Sequence, residues 1–194
     1  MPDLLKDFIN RYITLSENDW NDIKREFQKK IFSKDEIILQ EGKVCHHFYF
    51  FERGLIRFFC NIDGEDITKT FALAPYCFTS KISFRNQSPA NESIQALEKT
   101  VVWEISYKQY KQLEKINSWN IFMRKLLNEI QEFTEKLMLD SKVLTAEKRY
   151  EILQETYPAD LLQKIPLKHL ASFLGIAPQS LSRIRNNLHQ SRKS

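Results

Sequence analysis

The stretch HFYFFERGLIRFFCNIDGEDITKTFAL, residues 47–73, decides the fold class. His47 to Glu52 is aromatic almost throughout and reads as a strand, because rings fit a pleated, half-buried surface. Arg53-Gly54 turns the chain, and Leu55 to Cys60 reads as the next strand. Asp63-Gly64 closes a hairpin onto Ile67 to Leu73, since a tight turn needs positive φ at its centre and Asp-Gly tolerates it. Working outward, Glu36 to Leu39 is a short strand upstream, and Pro75 interrupts the pattern downstream. Ser93 to Leu97 and Val101 to Ile105 are two more strands joined through a Glu-Lys turn. At least six short strands with frequent turn signals predict an antiparallel β-roll or barrel.

Helical patterns flank this region. Residues 3–30 read as helical: Leu4, Leu5, Phe8 and Ile9 form one stripe, and Trp20, Ile23 and Phe27 recur at helical spacing. Ser16 with Asp19 resembles a capping box, with Asp in place of Glu. Tyr107 opens a second helical region with a short helix from Lys108 to Glu114. The segment from Trp119 to about Ser141 contains neither Gly nor Pro. Within it Trp119, Met123, Leu126, Ile130, Phe133 and Leu137 step alternately by four and three, which is a heptad seam and predicts a dimerisation helix. A helix packed on its own domain shows the same kind of stripe. A further helix, Thr145 to Thr156, holds Ala146, Tyr150 and Leu153 and ends before Tyr157-Pro158.

The last 34 residues, from Leu161, contain no acidic residue but six Lys or Arg, so all of the chain's positive excess lies there. The same segment reads as two short helices around a turn. Leu167, Leu170, Ala171 and Leu174 make the buried stripe of the first. Gly175 suits a left-handed cap, and Pro178 suits the first turn of the second helix. There Leu181, Ile184 and Leu188 point inward, leaving Gln179, Ser180, Ser182, Arg183, Arg185 and Asn186 on the other faces. These side chains bond base edges or phosphates, and a helix-turn-helix docks the start of its second helix in the major groove. Gln179, Ser180 and Arg183 are therefore the expected base readers. Arg185, Asn186 and the Arg192-Lys193 tail are the expected phosphate contacts. Taken alone, such a motif also describes a helical hairpin with a solvated basic face.

A chain of 194 residues fills one large domain or two small ones. No apolar run is long enough to cross a bilayer, and the opening Met-Pro-Asp-Leu-Leu-Lys-Asp has no signal-peptide pattern, which implies the cytoplasm. Cys45, Cys60 and Cys77 are too widely spaced for a metal motif and read as reduced, partly buried thiols. The His46-His47 pair reads as polar residues at a strand edge. There is no Gly-rich phosphate loop, no metal-spaced His/Glu set and no triad order, so no catalytic residue, metal or cofactor is assigned and an enzyme is the weakest class.

Roll, long helix and helix-turn-helix, in that order, resemble the bacterial cyclic-AMP receptor protein/Fnr family of transcription regulators. The local matches are Glu41-Gly42, Tyr49 to Arg57, the Asp63-Gly64-Glu65 hairpin, Ser93 to Glu98 and Gly175 to Ile184. The resemblance implies an α+β chain. Residues 1–115 would form a cyclic-nucleotide-binding-domain-like β-roll with N-terminal helices, 116–142 a dimerisation helix and 143–194 an all-α helix-turn-helix domain. It implies double-stranded DNA and a second copy of the chain as partners, RNA polymerase as a further one, a small-molecule effector of unknown identity, and no membrane.

This chain departs from the family pattern at the nucleotide pocket. Where the family holds the ribose with Gly-Glu, the chain has Ser80-Lys81. Where Arg-Ser binds the cyclic phosphate, it has Ala90-Asn91. A phosphate in a partly buried pocket needs a paired cation and aligned donors, which Ala90 does not offer. Ser80, Lys81, Arg85 and Asn91 remain the candidate pocket residues. The Fnr-type N-terminal cysteine cluster is missing, and His189 to Ser194 are too few for the family's β-wing. The expectation is a sequence-specific DNA-binding transcription regulator that does not answer to cyclic AMP through the usual site. The rivals are a cyclic-nucleotide sensor with an unusual pocket, and a roll that binds a partner or metabolite without DNA.

Overall fold

The computed structural model describes residues 2–157 and 159–191. Two helices come first, α1 (Pro2–Asn10) and α2 (Glu17–Glu26). Ser16 caps α2, its hydroxyl accepting the Asp19 N–H at 3.1 Å. The expected helix to residue 30 stops earlier. Phe27 is extended, and β1 (Gln28–Phe32) pairs antiparallel with β8 (Thr100–Ser106), Gln28 opposite Glu104 and Phe32 opposite Thr100. Pairing with a formed strand overrides the weak helical preference of Gln and Lys here.

The other strands are β2 (Ile37–Leu39), β3 (His47–Arg53), β4 (Leu55–Ile62), β5 (Glu65–Leu73), β6 (Tyr76–Phe78) and β7 (Ser93–Ala96). They form two four-stranded sheets, in the orders β1-β8-β3-β6 and β2-β7-β4-β5. The β3–β4 turn requires Gly54. Its φ is +125°, and a Cβ there would lie 2.5 Å from the Thr100 hydroxyl oxygen. A short helix absent from the sequence pattern, α3 (Lys81–Asn86), sits between β6 and β7. After β8 come α4 (Tyr107–Leu113), α5 (Asn117–Val143), α6 (Ala146–Thr156), α7 (Ala159–Lys164), α8 (Leu167–Leu174) and α9 (Pro178–Ser191). No helix among the described residues is long and apolar enough to cross a membrane.

The chain forms two compact units. The first holds the residues up to Phe58 together with Phe71–Gln131, and the second holds Phe59–Thr70 together with the residues from Glu132 onward. The boundaries expected near residues 115 and 142 are thus not where the compact units divide. The reason is that Trp119, Phe122, Met123 and Leu126 of α5 are buried in the core of the first unit. That core is aromatic. Phe8 lies 5.7 Å from Phe50 and 6.1 Å from Phe122, and Trp119 lies 5.5 Å from Phe122 and 6.0 Å from Phe48. These tilted and edge-to-face contacts suit the ring quadrupoles.

Trp119 is fully enclosed, yet its indole N–H has no hydrogen-bond partner among the described residues. Replacing Trp119 with Ala should destabilise the first unit by about 3–5 kcal/mol, the usual result of emptying a large aromatic site. Trp119→Phe should cost far less, because it keeps a ring and removes the orphaned donor. Urea unfolding followed by circular dichroism checks both; equal losses would show that ring packing is not what holds α5.

Candidate nucleic-acid interface

The two expected helices form, α8 at Leu167–Leu174 and α9 from Pro178 to Ser191. Gly175 ends α8 at φ +68°, and its N–H bonds the Ala171 and Ser172 carbonyls. The Ile176 N–H bonds the Ala171 carbonyl at 3.1 Å, and α9 begins at Pro178. Leu170, Ala171, Leu174 and Leu181 are fully buried, so the two helices share one small core.

On α9 the six expected DNA-contacting side chains divide. Gln179, Arg183 and Asn186 are exposed and, at spacings of four and three, lie on one face. Ser180 and Ser182 are half-buried, and the Ser182 hydroxyl donates back to the Pro178 carbonyl at 3.2 Å. Arg185 departs from expectation. Its guanidinium lies over the ring of Tyr150 on α6, 5.6 Å from the centroid, and its Nε is buried. A cation over an aromatic face is held by the ring quadrupole, so this side chain packs α9 onto α6 instead of standing with the exposed three. Arg192 and Lys193 lie outside the described residues.

Sequence reading missed what supports this face. Arg149 of α6 donates through Nη2 to the Leu174 carbonyl at 2.5 Å, placing a cation at the C-terminal end of α8. An Arg-Tyr pair on a helix carries no pattern that identifies such a role, because the partners are set by tertiary packing.

The expected dimer seam divides too. Trp119, Met123 and Leu126 are buried within the first unit and present nothing to a partner, which corrects half of the six-residue assignment. Ile130 and Leu137 are half-buried, and Phe133 is 45% exposed, as are Met138 at 58%, Leu139 at 59% and Val143 at 65%. Just before Ile130, Glu129 accepts the Tyr12 hydroxyl at 2.7 Å and the Tyr76 hydroxyl at 3.1 Å. Lys125 adds a bond to the Tyr12 carbonyl at 2.7 Å. α5 is therefore pinned to Tyr12, two residues beyond α1, and to Tyr76 of β6. Burial, with Glu129 adding to it, raises the pKa of both phenols, so they remain neutral donors.

The four candidate pocket residues differ in exposure. Ser80 is buried, whereas Lys81, Arg85 and Asn91 are exposed. The Ser80 hydroxyl donates to Glu92 Oε1 at 2.8 Å, so its partner is a carboxylate of the chain itself. Ala90, at the position of the phosphate-binding Arg, is buried in the core. The buried cation of the roll is one the sequence reading passed over: Arg57 on β4, 3% exposed, donates through Nε to Gln95 Oε1 at 2.8 Å. The Gln95 amide in turn donates to the Asp35 carbonyl at 3.0 Å. An Arg amid apolar strand residues was its available signal. His46 bonds Gln87 and His47 sits in β3, where burial, with Lys30 and His46 nearby, lowers its pKa against the opposing pull of Glu104. All three cysteines are free thiols, and burial pushes the Cys77 thiol up. Among the described residues no group of His, Cys, Asp and Glu is placed to hold a metal.

Residues 29–117 match the family model described as the cyclic nucleotide-binding domain. None of the curated protein sequences matches the chain. Solved structures do. FixK2 from Bradyrhizobium japonicum superposes with a TM-score of 0.70 at 20% identity, over 85% of this chain and 85% of that one. A CooA mutant from Carboxydothermus hydrogenoformans gives 0.67 at 16% identity, over 87% and 79%. The Catabolite Activator Protein of Thermus thermophilus gives 0.56 at 18% identity, over 93% and 86%. At these identities the likeness is one of fold.

The packing of Arg185 on Tyr150 separates it from Arg183. Arg185→Ala should lower the stability of the helix-turn-helix by about 1–2 kcal/mol, through the lost stacking and stem contacts. Arg183→Ala should leave stability unchanged. Thermal melting of the full chain compares them, and equal melting would remove the structural role given to Arg185.

Proposed function

On the premise that the chain belongs with the Crp/Fnr regulators in fold, with a roll of the cyclic nucleotide-binding domain type, we propose that it is a sequence-specific DNA-binding transcription regulator acting as a homodimer. The observation that carries this reading is the exposed face Gln179-Arg183-Asn186 on the second helix of a Gly175-turned pair, in a segment free of carboxylates. Gln and Arg bond base edges in the major groove in pairs of bonds, and the surrounding positive charge attracts the phosphate backbone. Gln179 and Arg183 read bases, and Asn186 contacts phosphate. The second copy joins along Ile130, Phe133 and Leu137 of α5, where the apolar stripe passes from Ile130, half-buried against the core, to the exposed Phe133. Two copies present two recognition helices to two half-sites. RNA polymerase is the further partner in this reading.

Selection of duplexes from a random pool by the purified chain tests it. A palindromic motif is the expected result, with log affinity falling steeply as log salt rises. Arg183→Ala should weaken binding to that motif by about 1–3 kcal/mol and relax the preference at one position per half-site. No enrichment, or binding indifferent to salt, would overturn the reading.

The roll does not use cyclic AMP in the family's way in this reading, because Ser80 is committed to Glu92 and Ala90 supplies no cation. Millimolar cyclic AMP should therefore leave both the melting temperature and the DNA affinity unchanged. A ligand that binds only the folded state must stabilise it, so a saturable rise in melting temperature would instead favour a nucleotide sensor built around other residues.

A further inference from the structure

The hairpin of β4 and β5 reaches beyond the sheet it belongs to. Residues Phe59–Thr70 group with the C-terminal helices in one compact unit. Asp63 at φ +53° and Gly64 at φ +88° form its turn, and the Gly64 N–H bonds the Asn61 side chain at 2.9 Å. Ser172 of α8 grips this hairpin through one hydroxyl. It donates to the Asp66 carbonyl at 3.1 Å and accepts the Thr68 N–H at 2.9 Å. Those two backbone groups lie on one side of the strand, as a neighbouring strand would use them. β5 ends its sheet, so α8 occupies the place of a missing strand. Thr68 is 3% exposed beneath this contact.

The hairpin carries Asp63, Glu65 and Asp66, all exposed, against a single base, Lys69. The α8–α9 pair carries no carboxylate. The contact therefore sets an acidic element against the basic one. We propose that Ser172 is a latch that holds the acidic hairpin on the helix-turn-helix and so opposes DNA binding, an inference that rests on the DNA reading above.

Charge supplies the opposition. Carboxylates within about a Debye length, ~8 Å at physiological salt, repel an approaching phosphate backbone. The chemistry also makes the latch releasable. Both backbone groups belong to an edge strand, where water replaces the serine when the contact opens. β5 runs on through Phe71–Leu73, which belong to the first unit, so the gripped strand is continuous with the roll. A chain whose binding-competent form is a fraction of the population shows an affinity reduced by that fraction, and opening the latch restores it.

Two variants of the full chain test this. Ser172→Ala removes both bonds and leaves the hairpin charges. Asp63→Asn/Glu65→Gln/Asp66→Asn removes the charges and leaves the backbone bonds. The readouts are hydrogen exchange of the Thr68 amide by NMR, and affinity for the selected duplex by fluorescence anisotropy at low and high salt, on proteins whose melting shows an intact fold. Ser172→Ala should speed Thr68 exchange and tighten duplex binding by about three- to tenfold, the scale of one or two weak net hydrogen bonds. The charge variant should tighten binding at low salt, lose the gain at high salt, and leave Thr68 exchange slow. Unchanged exchange in Ser172→Ala overturns the latch. Weaker or unchanged duplex binding by both variants overturns its opposition to DNA. A wild-type chain that binds no duplex removes the DNA reading, and with it the opposition, while Thr68 exchange still decides whether the latch exists.

Discussion

Trp119 meets the rings of Phe27, Phe48, Tyr110 and Phe122 at 5.5 to 6.2 Å, and this enclosure fixes which way α5 faces. A helix turns about 100° per residue, so one immobilised face determines every other along a straight run. With Trp119, Met123 and Leu126 turned inward, Ile130 continues the same stripe at the edge of the core, and Phe133 and Leu137 follow it. The stripe changes employment along its length: it begins as intramolecular core and ends as exposed apolar surface. Glu129, held by two phenols, prevents the helix from rolling at that junction. The dimer reading therefore depends on a contact that is itself entirely within one chain.

The same helix shows how much of the molecule the sequence discloses. Its existence, length and apolar spacing were legible, because 3-4 spacing without Gly or Pro has few other outcomes. Its partner was not. A heptad seam and a core-facing stripe have the same period, and only the positions of α1, α4 and the sheets decide between them. The helix-turn-helix was read nearly to the residue because its boundaries are local chemistry: Gly175 supplies the left-handed cap and Pro178 the first turn. The roll was read from its aromatic strands and turns. β1 was misread as helix because Gln28, Lys29 and Lys30 have no strand signature, and its pairing with β8 is about seventy residues away in sequence. Ser172 and Arg149 were invisible for the same reason: each acts through a partner that only folding supplies.

Residues 29–117 match the cyclic nucleotide-binding domain model, and the polar groups inside that roll are paired with one another. A site for a cyclic phosphate needs a cation and donors aimed at the ligand. Here the buried hydroxyl of Ser80 is turned toward a carboxylate, and the position of the expected Arg is an apolar Ala90 packed in the core. The buried cation, Arg57, is instead matched to the Gln95 amide oxygen. Buried polar groups that satisfy one another make a rigid interior, and each one turned to a ligand would first have to give up a formed partner. The match to the domain model therefore reports the scaffold, which by itself does not fix a ligand.

Arg183 and Arg185 show how finely charge must be apportioned before it counts as an interface. They are two residues apart, which on a helix places them about 200° around the axis from one another. With Leu181, Ile184 and Leu188 facing inward, Arg185 falls about 70° from the centre of that face and Arg183 about 130° from it on the other side. The flank that holds Arg185 lies toward α6, where Tyr150 receives its guanidinium, and the flank that holds Arg183 faces outward with Gln179 and Asn186. Counting bases in the tail credits both arginines to the phosphate backbone. Helix geometry gives one to the packing of the domain and leaves the other exposed. The packed arginine holds the helix that presents the exposed one, and a side chain can make a specific contact only from a helix that does not move.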